Sequence, residues 1–108
     1  MSIRSGKAKP TYGLDAFKAA FASVETLHVT GAAPRSAASL GFRRSEIVAT
    51  IQTMRRSQFY KSMTAHANHR IWQDVYHLPS AAGLLYVKFT ADAVTEFLLL
   101  LFKKKDDV

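Results

Sequence analysis

Twenty residues at positions 57–76, SQFYKSMTAHANHRIWQDVY, gather the side chains best able to do chemistry: Lys61, Gln73, His66, His69, three phenylalanine or tyrosine rings and the only tryptophan. Lysine, tyrosine, histidine and arginine can serve a phosphodiester without a metal, because an RNA strand carries its own nucleophile in the 2′-hydroxyl. Such a reaction needs a base for that hydroxyl, cations for the charge gathering on phosphorus, and an acid for the departing 5′-oxygen. His66 and His69 have His-x-x-His spacing. With no cysteine and no carboxylate at ligand spacing they read as a surface pair, and no metal is expected. A glycine-rich phosphate loop and paired carboxylates are both missing, which argues against nucleotide hydrolysis and glycosidase chemistry.

A chain of 108 residues, 48% of them hydrophobic, has room for one domain with a real core. Zero cysteines exclude a thiol nucleophile and a disulfide framework, and suit a reducing cytoplasm. No apolar stretch follows Arg4, Lys7 and Lys9 as in a signal peptide, and none is long enough to span a bilayer. A formal charge of +7 favours an anionic polymer or an acidic partner.

The reactive residues need elements to hold them. Residues 1–10 are small, polar and basic, and are expected to form a flexible tail ahead of a single domain over 11–108. Leu14, Phe17, Phe21 and Val24 recur at helical spacing, with Thr11 as a cap and Asp15 in the first turn. Leu27 and Val29 alternate with polar residues, as in a short half-buried strand. Pro34 opens a short helix that Gly41 ends. Ser45 caps a helix with Ile47, Val48, Ile51 and Met54 on one stripe and Arg55 and Arg56 in its last turn. Ser57 begins another short helix, with Phe59, Tyr60 and Met63 facing inward.

From His69 the period is two, with Ile71, Gln73 and Val75 on one face and Trp72, Asp74 and Tyr76 on the other. Trp72 reads as core, and Asp74 as the orienter of a basic side chain. Pro79, Ser80 and Gly83 mark a turn; residues 84–89 and 96–102 are further strands, the last apolar on both faces as in a central strand. The predicted fold is α+β: a small antiparallel sheet, made of a C-terminal three-strand meander and a short N-terminal strand, with helices packed on it.

The runs Phe59-Tyr60-Lys61-Ser62-Met63-Thr64 and Ile71-Trp72-Gln73-Asp74-Val75-Tyr76 resemble the signature of the MqsR toxins, small bacterial mRNA interferases with a RelE/YoeB-like fold. The resemblance continues through Gly83, Leu85-Tyr86-Val87-Lys88 and Phe102-Lys103-x-Lys105, close in the C-terminal half and in outline before it. It implies the toxin of a type II toxin–antitoxin system, a cofactor-free endoribonuclease that cuts single-stranded mRNA at GCU-type triplets apart from the ribosome. The implied partner is an MqsA-like antitoxin joining a zinc-binding domain to a helix-turn-helix domain, so that operator DNA is met only through the antitoxin. Lys61, Gln73, Tyr86 and Lys103 occupy the positions matching the family's catalytic residues. His69 matches a histidine ahead of the Ile-Trp-Gln segment, and Arg55, Arg56, Arg70 and Lys88 are expected to join it on RNA. His66 and His77 stand where better-known members carry other residues, so no role is carried over to them.

Each of these residues also has a plain structural reading. Lys61 alone is an ordinary solvated lysine. As a base it needs its pKa brought down from about 10.4 by burial or by cations, such as Arg55, Arg56 and Arg70 nearby in sequence. Gln73 alone is a strand amide satisfied by backbone. Tyr86 is a core aromatic with a wet tip, and Lys103 the charged end of an apolar strand. The competing function is a basic RNA- or DNA-binding module without catalysis. A structural subunit pairing through its last strand is a third reading.

Overall fold

In the computed structural model, which describes residues 6–107, the period of two after His69 becomes a nine-residue strand, β3 (Trp72–Ser80), in the middle of a five-stranded antiparallel sheet. Its companions are β1 (Gly6–Lys7), β2 (Phe59–Thr64), β4 (Gly83–Asp92) and β5 (Glu96–Lys104), in spatial order β1-β2-β3-β4-β5. Three helices, α1 (Leu14–Ala20), α2 (Ala32–Ser39) and α3 (Arg44–Gln52), pack on one face of it. The fold is α+β, as predicted. No helix of the described residues is long and apolar enough to cross a membrane.

Alternation decides which strand residues meet the helices. Tyr76 and Leu78 of β3, Leu85, Val87 and Phe89 of β4, and Phe97, Leu99 and Phe102 of β5 form one core with Phe17, Phe21, Ile47 and Ile51 of the helical half. At its centre the Phe17 and Phe89 rings lie parallel, 3.7 Å between centroids, with Phe97 edge-on to both. The opposite face carries no helix. One covered and one open face is the usual lot of an antiparallel sheet.

Several elements depart from the sequence-based expectation. Residues 59–64, expected as a helix, are strand β2, paired along β3 from Phe59 opposite Tyr76 to Thr64 opposite Trp72. The helical stripe of Phe59, Tyr60 and Met63 is accommodated by a bulge: Phe59 faces Tyr76 and Lys61 faces Val75, leaving Tyr60 as an extra residue. The meander therefore has four strands, β2 to β5, and Gly6–Lys7, within the expected tail, extends it as β1 against Met63 and Ser62. The rest of that expectation, over residues 1–5, lies outside the described residues. Residues 28–30 make a single parallel bridge, Val29 to Leu99, rather than a strand. The Thr30 N–H donates to the Leu99 carbonyl at 3.0 Å, and the Leu99 N–H to that of His28 at 2.9 Å. β5 is thus an outer strand, not a central one, and residues 28–30 occupy part of its free edge.

The helices start one or two residues from the expected caps. Gly13, not Thr11, precedes α1, and Arg43, not Ser45, precedes α3, where the Glu46 carboxylate accepts the Arg43 N–H at 3.0 Å. Thr11 is engaged elsewhere: its hydroxyl bonds that of Ser62 at 2.7 Å.

The join between the sheet and the helical layer rests on Asp74. Fully buried on the core face of β3, its carboxylate accepts the N–H of Thr11 at 3.1 Å and that of Tyr12 at 2.9 Å. The Tyr12 hydroxyl donates to the Trp72 carbonyl at 2.8 Å. Asp74 therefore anchors backbone, where a basic side chain was expected. Trp72, expected in the core, is half-buried beside this anchor, with the Lys7 ammonium 4.3 Å from its ring centre. Asp74→Ala strands two N–H groups and loosens the lead into α1. It is expected to cost about 2–3 kcal/mol in urea unfolding, since bonds to a charged group are among the strong ones, and each kcal/mol lowers Tm by about 4–8 °C.

Candidate active site

The open face of the sheet presents alternate residues of β2 to β5 in rows. Lys61, Val75, Lys88 and Leu101 are successive cross-strand partners. One row along, His77, Tyr86 and Lys103 are successive partners across β3, β4 and β5. One row the other way lie Met63, Gln73 and Thr90. Rows are about 7 Å apart and strands about 4.8 Å, so the backbones of Lys61 and Lys88 flank Val75 at roughly 10 Å from one another. All four residues expected to be catalytic, Lys61, Gln73, Tyr86 and Lys103, thus share one face within three adjacent rows.

Their exposure differs. Lys61, Gln73, Lys88 and Lys103 are half-buried, while Tyr86 is only 6% exposed. Val75 is completely buried although it faces away from the helices and lies outside the main core. Its cross-strand partners on either side are Lys61 and Lys88, whose long aliphatic stems can cover it, and the Lys61 ammonium stands 5.2 Å from the Tyr60 ring centre. Carboxylates of the strands are placed elsewhere. Asp74 points into the helical half, and Asp92 sits at the turn into β5, where the N–H groups of Thr95 and Val94 and the Thr95 hydroxyl hold its pKa below the usual range. Among the described residues no carboxylate lies in the three central rows of the face.

His77, passed over in the sequence, stands in the row of Tyr86 and Lys103. The Tyr60 ring, delivered to the open face by the bulge in β2, stacks on its imidazole at 4.1 Å between centroids and 23°. Tyr86 lies on its other side at 5.6 Å. Burial, then the Lys105 and Lys61 ammonium groups, hold its pKa below the ordinary imidazole range. The signal that could have found it was parity: His77 continues the series Gln73, Val75 on one face of the strand.

The residues expected on RNA divide. Lys88 is on the open face. His69 and Arg70 are exposed in the β2–β3 loop, at the Gln73 end of the sheet, and His66 is in the same loop. Arg55 and Arg56 are not beside Lys61, as nearness in sequence suggested. They follow α3 and line a cleft of about 460 Å³ with Leu14, Asp15, Lys18 and Met54. The Arg56 guanidinium stands 5.0 Å from the Phe59 ring, whose partner Tyr76 belongs to the core. Tyr76 turns to the core, away from the open face, and burial, then the nearby Asp74, push its pKa up to about 12.

Comparison with known proteins gives the chain its family. The sequence profile of a family described as motility quorum-sensing regulator, toxin of MqsA, matches residues 9–104. The chain is also similar to the mRNA interferase toxin MqsR of Escherichia coli strain K12, at 35% identity over 79 residues, which are 73% of this chain and 79% of that protein. With residues 9–104 matched by the family and a relative 35% identical over most of both chains, the chain belongs to the MqsR toxin family.

Proposed function

We propose that the protein is an mRNA interferase, a metal-independent endoribonuclease that cuts single-stranded mRNA in the cytoplasm, at GCU-type triplets, and so stops translation. The observation that carries this reading is the grouping of Lys61, Gln73, Tyr86 and Lys103 on one face that holds no carboxylate in its central rows. A strand of RNA laid across these rows meets ammonium groups from β2, β4 and β5 around a single phosphate. Lys61 and Lys103 stabilise the charge that builds on the non-bridging oxygens as the 2′-oxygen attacks. Tyr86, held between β3 and β5, offers a hydroxyl to the same phosphate. Gln73, a row away, hydrogen-bonds the adjacent base, and Lys88, with His69 and Arg70 in the loop, guides the backbone.

The similarity to a toxin of MqsA supports a further part of the proposal: an antitoxin of the MqsA type binds this chain. That partner brings its own zinc-binding domain and its own helix-turn-helix contact with operator DNA.

Incubation of a long single-stranded RNA in excess EDTA, with the new ends mapped, tests the activity. Discrete cuts leaving 5′-hydroxyl and cyclic or 3′-phosphate ends are expected. Lys61→Ala and Tyr86→Phe should each slow cutting by about a hundredfold or more while melting unchanged. Arg35→Ala, on the exposed side of α2, should cut like the parent. RNA binding with no cuts would instead make the protein a binding module. Separately, Lys88→Ala should flatten the dependence of log binding constant on log salt by about 0.7, the value of one phosphate contact on a single strand. An unchanged slope would remove Lys88 from the RNA path.

A further inference from the structure

We propose that His77 is the proton acceptor of the reaction, taking the proton of the 2′-hydroxyl that attacks the scissile phosphate; this rests on the nuclease reading above. The position is the first argument. His77 stands opposite Tyr86, which stands opposite Lys103, and is one row from Lys61, so it shares the phosphate those residues surround. Lysine at neutral pH is a cation with no lone pair to offer, and glutamine is no base at all. The imidazole is the one group of this cluster that is an ordinary base near neutrality.

Its surroundings keep that base available. Among the described residues, those facing it are Tyr60 and Lys61 from β2, Tyr86 with Lys88 a row on from β4, Lys103 from β5 and Lys105 just beyond β5; none is a carboxylate. Partial burial first, then the Lys105 and Lys61 cations, disfavour the imidazolium and hold the ring's pKa below its ordinary value. The Nε2 atom is buried and has no hydrogen-bond partner among the described residues. Most buried polar atoms are paired; besides His77 Nε2 the Tyr76 hydroxyl is also unpaired among the described residues, but it lies in the core, whereas Nε2 belongs to the face that carries the lysines. The stacked Tyr60 ring fixes the imidazole plane, and is itself half exposed. The side chains around it are long and flexible, able to shift when phosphate draws the ammonium groups toward itself.

The step balances within the site. The 2′-O–H bond breaks as its proton passes to the imidazole, the 2′-oxygen bonds phosphorus, and the P–O5′ bond breaks. A lysine or tyrosine donates a proton to the departing 5′-oxygen, giving a 2′,3′-cyclic phosphate and a 5′-hydroxyl. The imidazolium then releases its proton to solvent, which the surrounding positive charge favours.

The test is the pH profile of single-turnover cleavage in EDTA for the wild type, His77→Gln and His77→Asn, with melting curves for each. The wild-type rate should fall on acidification with a midpoint below about 6.5, the free imidazole value. The variants should melt like the parent, cut about a hundredfold or more slowly, and lose that acid limb. Folded variants that keep both rate and limb would overturn the role of His77 and leave the nuclease reading standing. A slowed variant that keeps the acid limb would make His77 a positioning residue and also overturn it. No cutting by the wild type would overturn both readings together. Should neither variant fold, NMR titration of the wild-type imidazole decides: a midpoint below about 6.5 supports the role, and one above it sinks it.

Discussion

The structure depends on the alternation of β3. Its even-numbered residues from Trp72 to Leu78 turn towards the helical layer, and Gln73, Val75 and His77 turn away. A slip of one residue would place a carboxylate on the open face and an amide and an imidazole in the core. The Asp74 carboxylate guards against that slip. Its bonds to Thr11 and Tyr12 are possible only from the helix side, and they fix register while fastening the N-terminal segment. Stability and chemistry are thus assigned to opposite faces of the same nine residues.

That division has an electrostatic cost. Ammonium groups from three strands are held over one surface, and among the described residues no carboxylate shares their central rows. Repulsion among them is tolerable because each stem has an apolar partner in Val75 or its neighbours and each head reaches water. A polyanion relieves the repulsion on binding. The core on the other face, with its parallel Phe17 and Phe89 rings, supplies the stability that such a surface gives up.

Much of this was legible in the sequence where a single period dominates. Residues 72–76 alternate cleanly, and the helices at 14–20, 32–39 and 44–52 announce themselves through spacing and glycine or proline boundaries. Gln73, Tyr86 and Lys103 therefore fall on, or at the end of, strands made adjacent by hairpin logic alone, whereas Lys61 falls in a segment whose spacing predicts a helix. Less legible were features set by partners distant in sequence. Residues 59–64 have a helical stripe, and only pairing with β3 makes them a strand. Gly6 and Lys7 carry no strand signal, and exist as β1 because β2 has a free edge. Arg55 and Arg56 looked close to Lys61 by number, but a short turn and the Phe59 contact send them to the other side of the sheet. His77 was hidden for a different reason: judged by its difference from known relatives, it lost the attention that its parity warranted.

The bulge at Tyr60 separates what the sheet requires from what the surface uses. Phe59 and Lys61 would take opposite faces, as they do now, if they were directly joined. Tyr60 is therefore surplus to the pairing, a residue whose identity β2 does not constrain through either hydrogen-bond register or core volume. Replacing it would leave the register and the core as they are, so the identity of Tyr60 answers to what its ring does over His77 and not to the framework beneath it.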